Sequence, residues 1–135
     1  VDYGCGSGIL GIAAARLGAT QVLGVDNDPQ AIIASRNNAQ RNEVPDAAFR
    51  VVLPQDDVVA SWQASADWVV ANILAGPLVA LAPALTSLMT PGGRLLLAGL
   101  LVDQAEAVIE AYAPRVALSI ADQQEQWVLL AGEKC

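Results

Sequence analysis

The sequence predicts an α/β fold, a doubly wound sheet that is parallel except for one antiparallel strand near the C-terminus. Three observations carry this expectation. Short apolar runs alternate with helical segments in a strand, turn, helix rhythm. A glycine-rich turn follows the first run and opens the first helix. The last two apolar runs lie too close together for a helical crossover.

Val1-Asp2-Tyr3 reads as the tail of a first strand and Gly4 to Gly8 as a turn. Ile9 to Leu17 is an Ala-rich helix closed by Gly18, and Gln21 to Val25 is a second strand. Asp28-Pro29 opens a second helix through about Gln40, because Asp caps a helix well and Pro suits its first position. Phe49 to Leu53 is a third strand, ended by Pro54 and followed by a polar loop. Trp68 to Ala71 is a fourth, nearly all apolar, as expected of a strand covered on both faces. Gly76-Pro77 leads into a helix ending near Met89, and Pro91-Gly92-Gly93 is a turn. Arg94 to Ala98 is a fifth strand, and Val102 to Tyr112 is a helix with Asp103, Glu106 and Glu110 outward. Val116 to Ile120 and Trp127 to Ala131 complete the set. Ala121 to Gln126 is too short for a parallel crossover, so that final pair is expected to be antiparallel.

The 135 residues fit a single domain able to bury a real core. There is no histidine, which excludes Ser-His-Asp and Cys-His machinery and histidine metal ligands. The two cysteines, Cys5 and Cys135, make neither a zinc site nor a disulfide framework, so a reduced, cytoplasmic protein without a metal is expected. Seven basic and 14 acidic side chains give a net charge of −7, which argues against nonspecific nucleic-acid binding and suits a basic protein partner. No apolar run reaches the ~18 residues of a membrane span. The chain opens at Val1, inside its first strand and without a Met, and is expected to be the catalytic part of a longer protein.

The chemistry concentrates in Asp2-Tyr3-Gly4-Cys5-Gly6-Ser7-Gly8. Glycines at a strand end let the backbone approach a ligand, and the following helix start offers N–H groups. Two cofactor classes compete. Gly6-Ser7-Gly8-Ile9-Leu10-Gly11 fits G-x-G-x-x-G, and Asp26 lies 20 residues after Gly6, as a dinucleotide site requires. Against this, Asp2 would repel a pyrophosphate, the glycines begin early at Gly4, and a C-terminal antiparallel pair is unusual for such a domain. S-adenosylmethionine, a sulfonium cation without phosphate, suits all three features, with Asp26 placed to take both ribose hydroxyls. Asp2, Gly4, Gly6, Gly8 and Asp26 are the candidate cofactor residues. Asp2 has a second possible role, tying its own loop together. Asp28 reads as a helix cap, and Cys5 as a small loop side chain.

Asn72 falls just past the fourth strand. In this topology it is expected across the switch-point crevice from the glycine loop. Amide and adenine methyltransferases carry an N/D-P-P-Y tetrad there. This chain has Asn72-Ile73-Leu74-Ala75, with no aromatic residue to stack a flipped base, which weakens a nucleic-acid substrate.

The D-x-G-x-G-x-G loop with an acid ending the next strand resembles the class I S-adenosylmethionine-dependent methyltransferases. Three strings sharpen this: Asp2 to Leu10, Gly24-Val25-Asp26-Asn27-Asp28-Pro29-Gln30-Ala31, and Asn72-Ile73-Leu74-Ala75-Gly76-Pro77-Leu78. With Ser35-Arg36-Asn37-Asn38-Ala39 and Gln104-Ala105-Glu106, they resemble the methyltransferases that modify large-subunit ribosomal protein eleven. The resemblance implies methyl transfer to lysine and N-terminal amines of that basic ribosomal protein. It implies that Gly4 and Asp26 bind S-adenosylmethionine, and that Asn72 lines both cofactor and substrate sites as the catalytic residue. Such enzymes also carry an N-terminal substrate-recognition domain, a linker helix and a Thr/Gly-rich loop, none of which these residues supply.

Overall fold

A computed structural model describes residues 1–135, which divide into two compact units, Val1–Ser61 and Trp62–Cys135. In the first unit β1 (Asp2–Tyr3), β2 (Val22–Val25) and β3 (Phe49–Val52) form parallel neighbours in the order β3-β2-β1. Helices α1 (Ile9–Arg16) and α2 (Pro29–Arg41) connect them. Asp28 caps α2 as the sequence predicts, its Oδ1 accepting the Gln30 N–H at 2.9 Å. The polar loop after β3 contains one helical turn, α3 (Asp57–Ala60), which the sequence reading missed. It is capped by Asp56, and four residues are too few to show a hydrophobic period.

Phe49 organises this unit. It is buried in a core with Cys5, Ile12, Val22, Ile32, Ala39, Val44 and Val51. A Cβ added to Gly11 of α1 would lie 2.7 Å from the Phe49 ring, and one on Gly24 of β2 would lie 2.8 Å from it. The two glycines therefore let α1 and β2 close on one aromatic side chain.

In the second unit β4 (Ala66–Asn72), β5 (Met89–Leu101), β6 (Ser119–Gln124) and β7 (Trp127–Glu133) lie in the order β4-β5-β7-β6. β4 and β5 are parallel, and β7 runs antiparallel to both β5 and β6. The expected antiparallel pair forms, but residues 121–124, expected in the connection, belong to β6, and only Glu125-Gln126 links it to β7. Pro91-Gly92-Gly93 does not precede β5 but lies within it. The ladder steps from Ala66 opposite Met89 to Trp68 opposite Arg94, so the three residues form a bulge rather than a turn ahead of the strand.

The single helix expected before Met89 is two, α4 (Ala75–Ala80) and α5 (Ala82–Leu88). Pro83 lacks an N–H and belongs at a helix start, so the chain restarts there. The last helix begins as a 3-10 turn over Val102–Gln104 and continues as α6 (Ala105–Tyr112). Tyr112, fully buried, donates its hydroxyl to the Leu78 carbonyl at 2.7 Å and so ties α6 to α4. No helix is long and apolar enough to cross a membrane.

Replacing Gly11 with Ala should cost about 1–3 kcal/mol of stability, because its methyl meets the Phe49 ring. In denaturant unfolding, the Phe49→Leu background should absorb part of that cost. Strictly additive losses would show that the two residues do not share this space.

Candidate active site

The glycine loop is built by bonds from the elements around it. Gly4, Gly6 and Gly8 all have positive φ, at 81°, 55° and 84°, so all three places favour glycine. Gly8 starts α1 in the left-handed conformation, and its N–H returns to the Cys5 carbonyl at 2.8 Å. A Cβ on Gly6 would project into open space, so here it is backbone conformation and not crowding that selects glycine. The N–H groups of Gly4 and Cys5 both donate to the Val25 carbonyl, which fastens the loop to the end of β2.

Asp26 joins this loop directly. Its Oδ2 accepts the Gly6 N–H at 2.9 Å and its Oδ1 accepts the Asp28 N–H at 3.0 Å. Both oxygens are oriented by backbone, and each keeps a lone pair for a further donor.

Asp2 takes a different position. It is only 2% exposed, and its Oδ2 accepts the Gly11 N–H at 3.1 Å. Of the two roles open to it, the geometry displays loop tying: it links the end of β1 to the first turn of α1. Burial pushes its carboxyl up to about 6, opposed by the Gly11 bond and assisted by the nearby Asp26 charge. Burial likewise pushes the Cys5 thiol up to about 11, so it stays protonated at neutral pH.

Two residues of the site were singled out in the sequence only as part of a family-like string. Ser35, fully buried on α2, donates its hydroxyl to the Gly6 carbonyl at 2.8 Å. Asn38 donates its amide to the Ser7 carbonyl at 2.9 Å. A signal was present: Ser35 is a polar residue on the α2 face that also buries Ile32 and Ala39.

Asn72 belongs to the second unit. It is the last residue of β4, paired with Ala98 of β5, rather than a residue beyond the strand. Its side chain is exposed, and Ile73 continues the ladder by donating to the Ala98 carbonyl at 3.2 Å. Gly99 presses against it. A Cβ there would lie 2.8 Å from Asn72 Oδ1 and 2.6 Å from the Ile73 carbonyl oxygen, and its φ is 87°. Gly99 sits where the β5–β7 register shifts between Leu97 and Leu100, so a bulge makes room for the Asn72 turn. Sequence reading passed over this glycine. An open cavity of about 610 Å³ borders this end of β4, lined by Asn72, Leu74, Gly99, Asp122, Gln124 and Trp127 among others.

The sequence profile of the ribosomal protein L11 methyltransferase (PrmA) family matches residues 1–135. A ribosomal protein L11 methyltransferase of Klebsiella pneumoniae is 53% identical over 134 residues, covering 99% of this chain and 44% of that protein. One from Marinobacter nauticus is 50% identical over 133 residues, covering 98% of this chain and 43% of that protein. The chain thus spans less than half the length of these relatives. The crystal structure of a ribosomal protein L11 methylase from Lactobacillus delbrueckii subsp. bulgaricus superimposes with a TM-score of 0.81 at 31% identity, over 98% of this chain and 68% of that one. The mostly parallel fold with its antiparallel C-terminal pair is therefore the methyltransferase fold expected from the sequence, and the dinucleotide alternative falls away. The chain belongs to the ribosomal protein L11 methyltransferase family.

Proposed function

We propose that this chain is the catalytic part of a protein N-methyltransferase. It binds S-adenosylmethionine at the glycine loop and Asp26, and methylates lysine and N-terminal amines of ribosomal protein L11 in the cytoplasm. The observation that carries this reading is the Asp26 carboxylate, held by the N–H groups of Gly6 and Asp28 beside the loop. A carboxylate so fixed suits the two hydroxyls of a ribose. With Asp2 close by, it also disfavours a pyrophosphate and suits a cation. The residues present therefore fit this cofactor, with Gly4, Gly6 and Gly8 supplying backbone contact and Asp2 holding the loop.

The cofactor, when bound, supplies a methyl group on a sulfonium, already activated for in-line displacement. What remains for the protein is alignment. Asn72 Oδ1 is suited to accept an N–H bond from the acceptor amine and aim its lone pair. Leu74, Trp127 and Val128 line the same cavity with apolar surface, which favours the neutral, nucleophilic amine. No histidine base is needed. The net charge of −7 suits a basic ribosomal protein as partner.

Calorimetry on this chain should show binding of S-adenosylhomocysteine and none of NAD. Asp26→Ala should weaken that binding about tenfold or more. NAD binding without S-adenosylhomocysteine binding would overturn the assignment. Placed in an enzyme of the relatives' full length, Asn72→Ala should lower kcat on L11 about 10–100-fold. Unchanged turnover would remove Asn72 from the chemistry.

Asp2 gives a prediction in pH. Folding raises its pKa from 3.8 to about 6, so the folded state binds more protons between these values and stability falls as pH rises through them. This contribution is up to about 3 kcal/mol. Asp2→Asn keeps an oxygen for the Gly11 N–H but does not titrate. Its unfolding free energy, relative to the parent, should rise from pH 4 to pH 7, and parallel profiles for the two proteins would refute the assignment.

A further inference from the structure

Ser35 and Asn38 stand three residues apart on α2, on one face of the helix. Both donate to consecutive carbonyls of the glycine loop, Ser35 to Gly6 at 2.8 Å and Asn38 to Ser7 at 2.9 Å. Gly6 is thereby held from both sides, its N–H by Asp26 and its carbonyl by Ser35.

Peptide planarity extends the effect. In a trans peptide the carbonyl and the following N–H point in opposite directions. Drawing the Gly6 carbonyl toward α2 therefore turns the Ser7 N–H away from it. Drawing the Ser7 carbonyl toward α2 turns the Gly8 N–H the other way, where it meets the Cys5 carbonyl at 2.8 Å. The loop backbone is thus held in one conformation by α2, and a loop fixed in this way costs a ligand less to order.

We propose that Ser35 and Asn38 are positioning residues that preset the Gly6–Ser7 backbone for the amino-acid end of the cofactor without touching it. This rests on the reading of the loop as an S-adenosylmethionine site. The end of the ligand follows from chemistry. Asp26 suits the ribose hydroxyls, which leaves the Gly6–Ser7 backbone beside it for the polar amino-acid end of the ligand.

The test compares two ligands by calorimetry: S-adenosylhomocysteine, and 5′-methylthioadenosine, which lacks the amino-acid end. Asn38→Ala and the isosteric Asn38→Asp, which has no donor, should each weaken S-adenosylhomocysteine about fivefold to tenfold. Both should leave 5′-methylthioadenosine within about twofold of the parent and the Tm within about 2 °C. Ser35→Ala should behave alike, and Ser35→Thr, which keeps the hydroxyl, should restore binding. If Ser35→Ala fails to fold, the half-buried Asn38 pair decides. Equal losses for both ligands, or unchanged S-adenosylhomocysteine affinity in the Asn38 variants, would overturn the proposal. A parent chain that binds no S-adenosylhomocysteine would instead overturn the reading of the site itself, and this inference with it.

Discussion

The first unit depends on the close approach that Phe49 imposes. Its ring occupies the space where side chains on Gly11 and Gly24 would otherwise be, so α1 and β2 each approach that ring at glycine distance. With α1 seated on that ring, the Gly11 N–H reaches Asp2, while Gly4 and Cys5 both reach the Val25 carbonyl at the end of β2. A larger residue at Gly11 would meet the ring directly and strain the Asp2 bond. The glycine at position 11 looks like the third glycine of a dinucleotide motif, and its cause is this packing rather than the identity of a ligand.

The carboxylates divide by burial. Asp2 and Asp26 stand at the ends of neighbouring strands and both accept backbone N–H groups of the loop region. Asp2 is sealed, and its charge is opposed by desolvation. Asp26 is half-buried and retains outward lone pairs. The same residue type therefore serves as an internal brace in one case and as a surface able to meet hydroxyl donors in the other. Solvent access decides between the two roles, and spacing in the sequence does not encode it.

Local chemistry was legible where a residue's own preference agrees with its surroundings. Asp28-Pro29 starts α2, the glycine loop joins β1 to α1, and the short link between the last strands forces an antiparallel pair. What escaped the sequence depends on distant neighbours. Pro91-Gly92-Gly93 reads as a turn ahead of the fifth strand, and becomes a bulge because Ala66 and Trp68 continue the ladder beside it. Gly99 reads as a strand glycine like any other, and is required because the Asn72 turn fills its side-chain space. Ser35 and Asn38 are ordinary helix residues until the fold sets the glycine loop against them.

These contacts also bear on what kind of catalysis the chain can support. Ser35 and Asn38 act through hydroxyl and amide groups that do not titrate near neutral pH, and Asn72 offers the same chemistry. Cys5, the one thiol in the loop, is held protonated by burial, which removes it as a nucleophile. Asp2, raised to about 6, is sealed from solvent, and the other side chains around the loop hold backbone instead of exchanging protons. Such an arrangement is poorly suited to reactions that need a strong base or a covalent intermediate. It is well suited to a reaction whose leaving group is already activated and whose barrier is lowered by placement, as methyl transfer from a sulfonium to a neutral amine is.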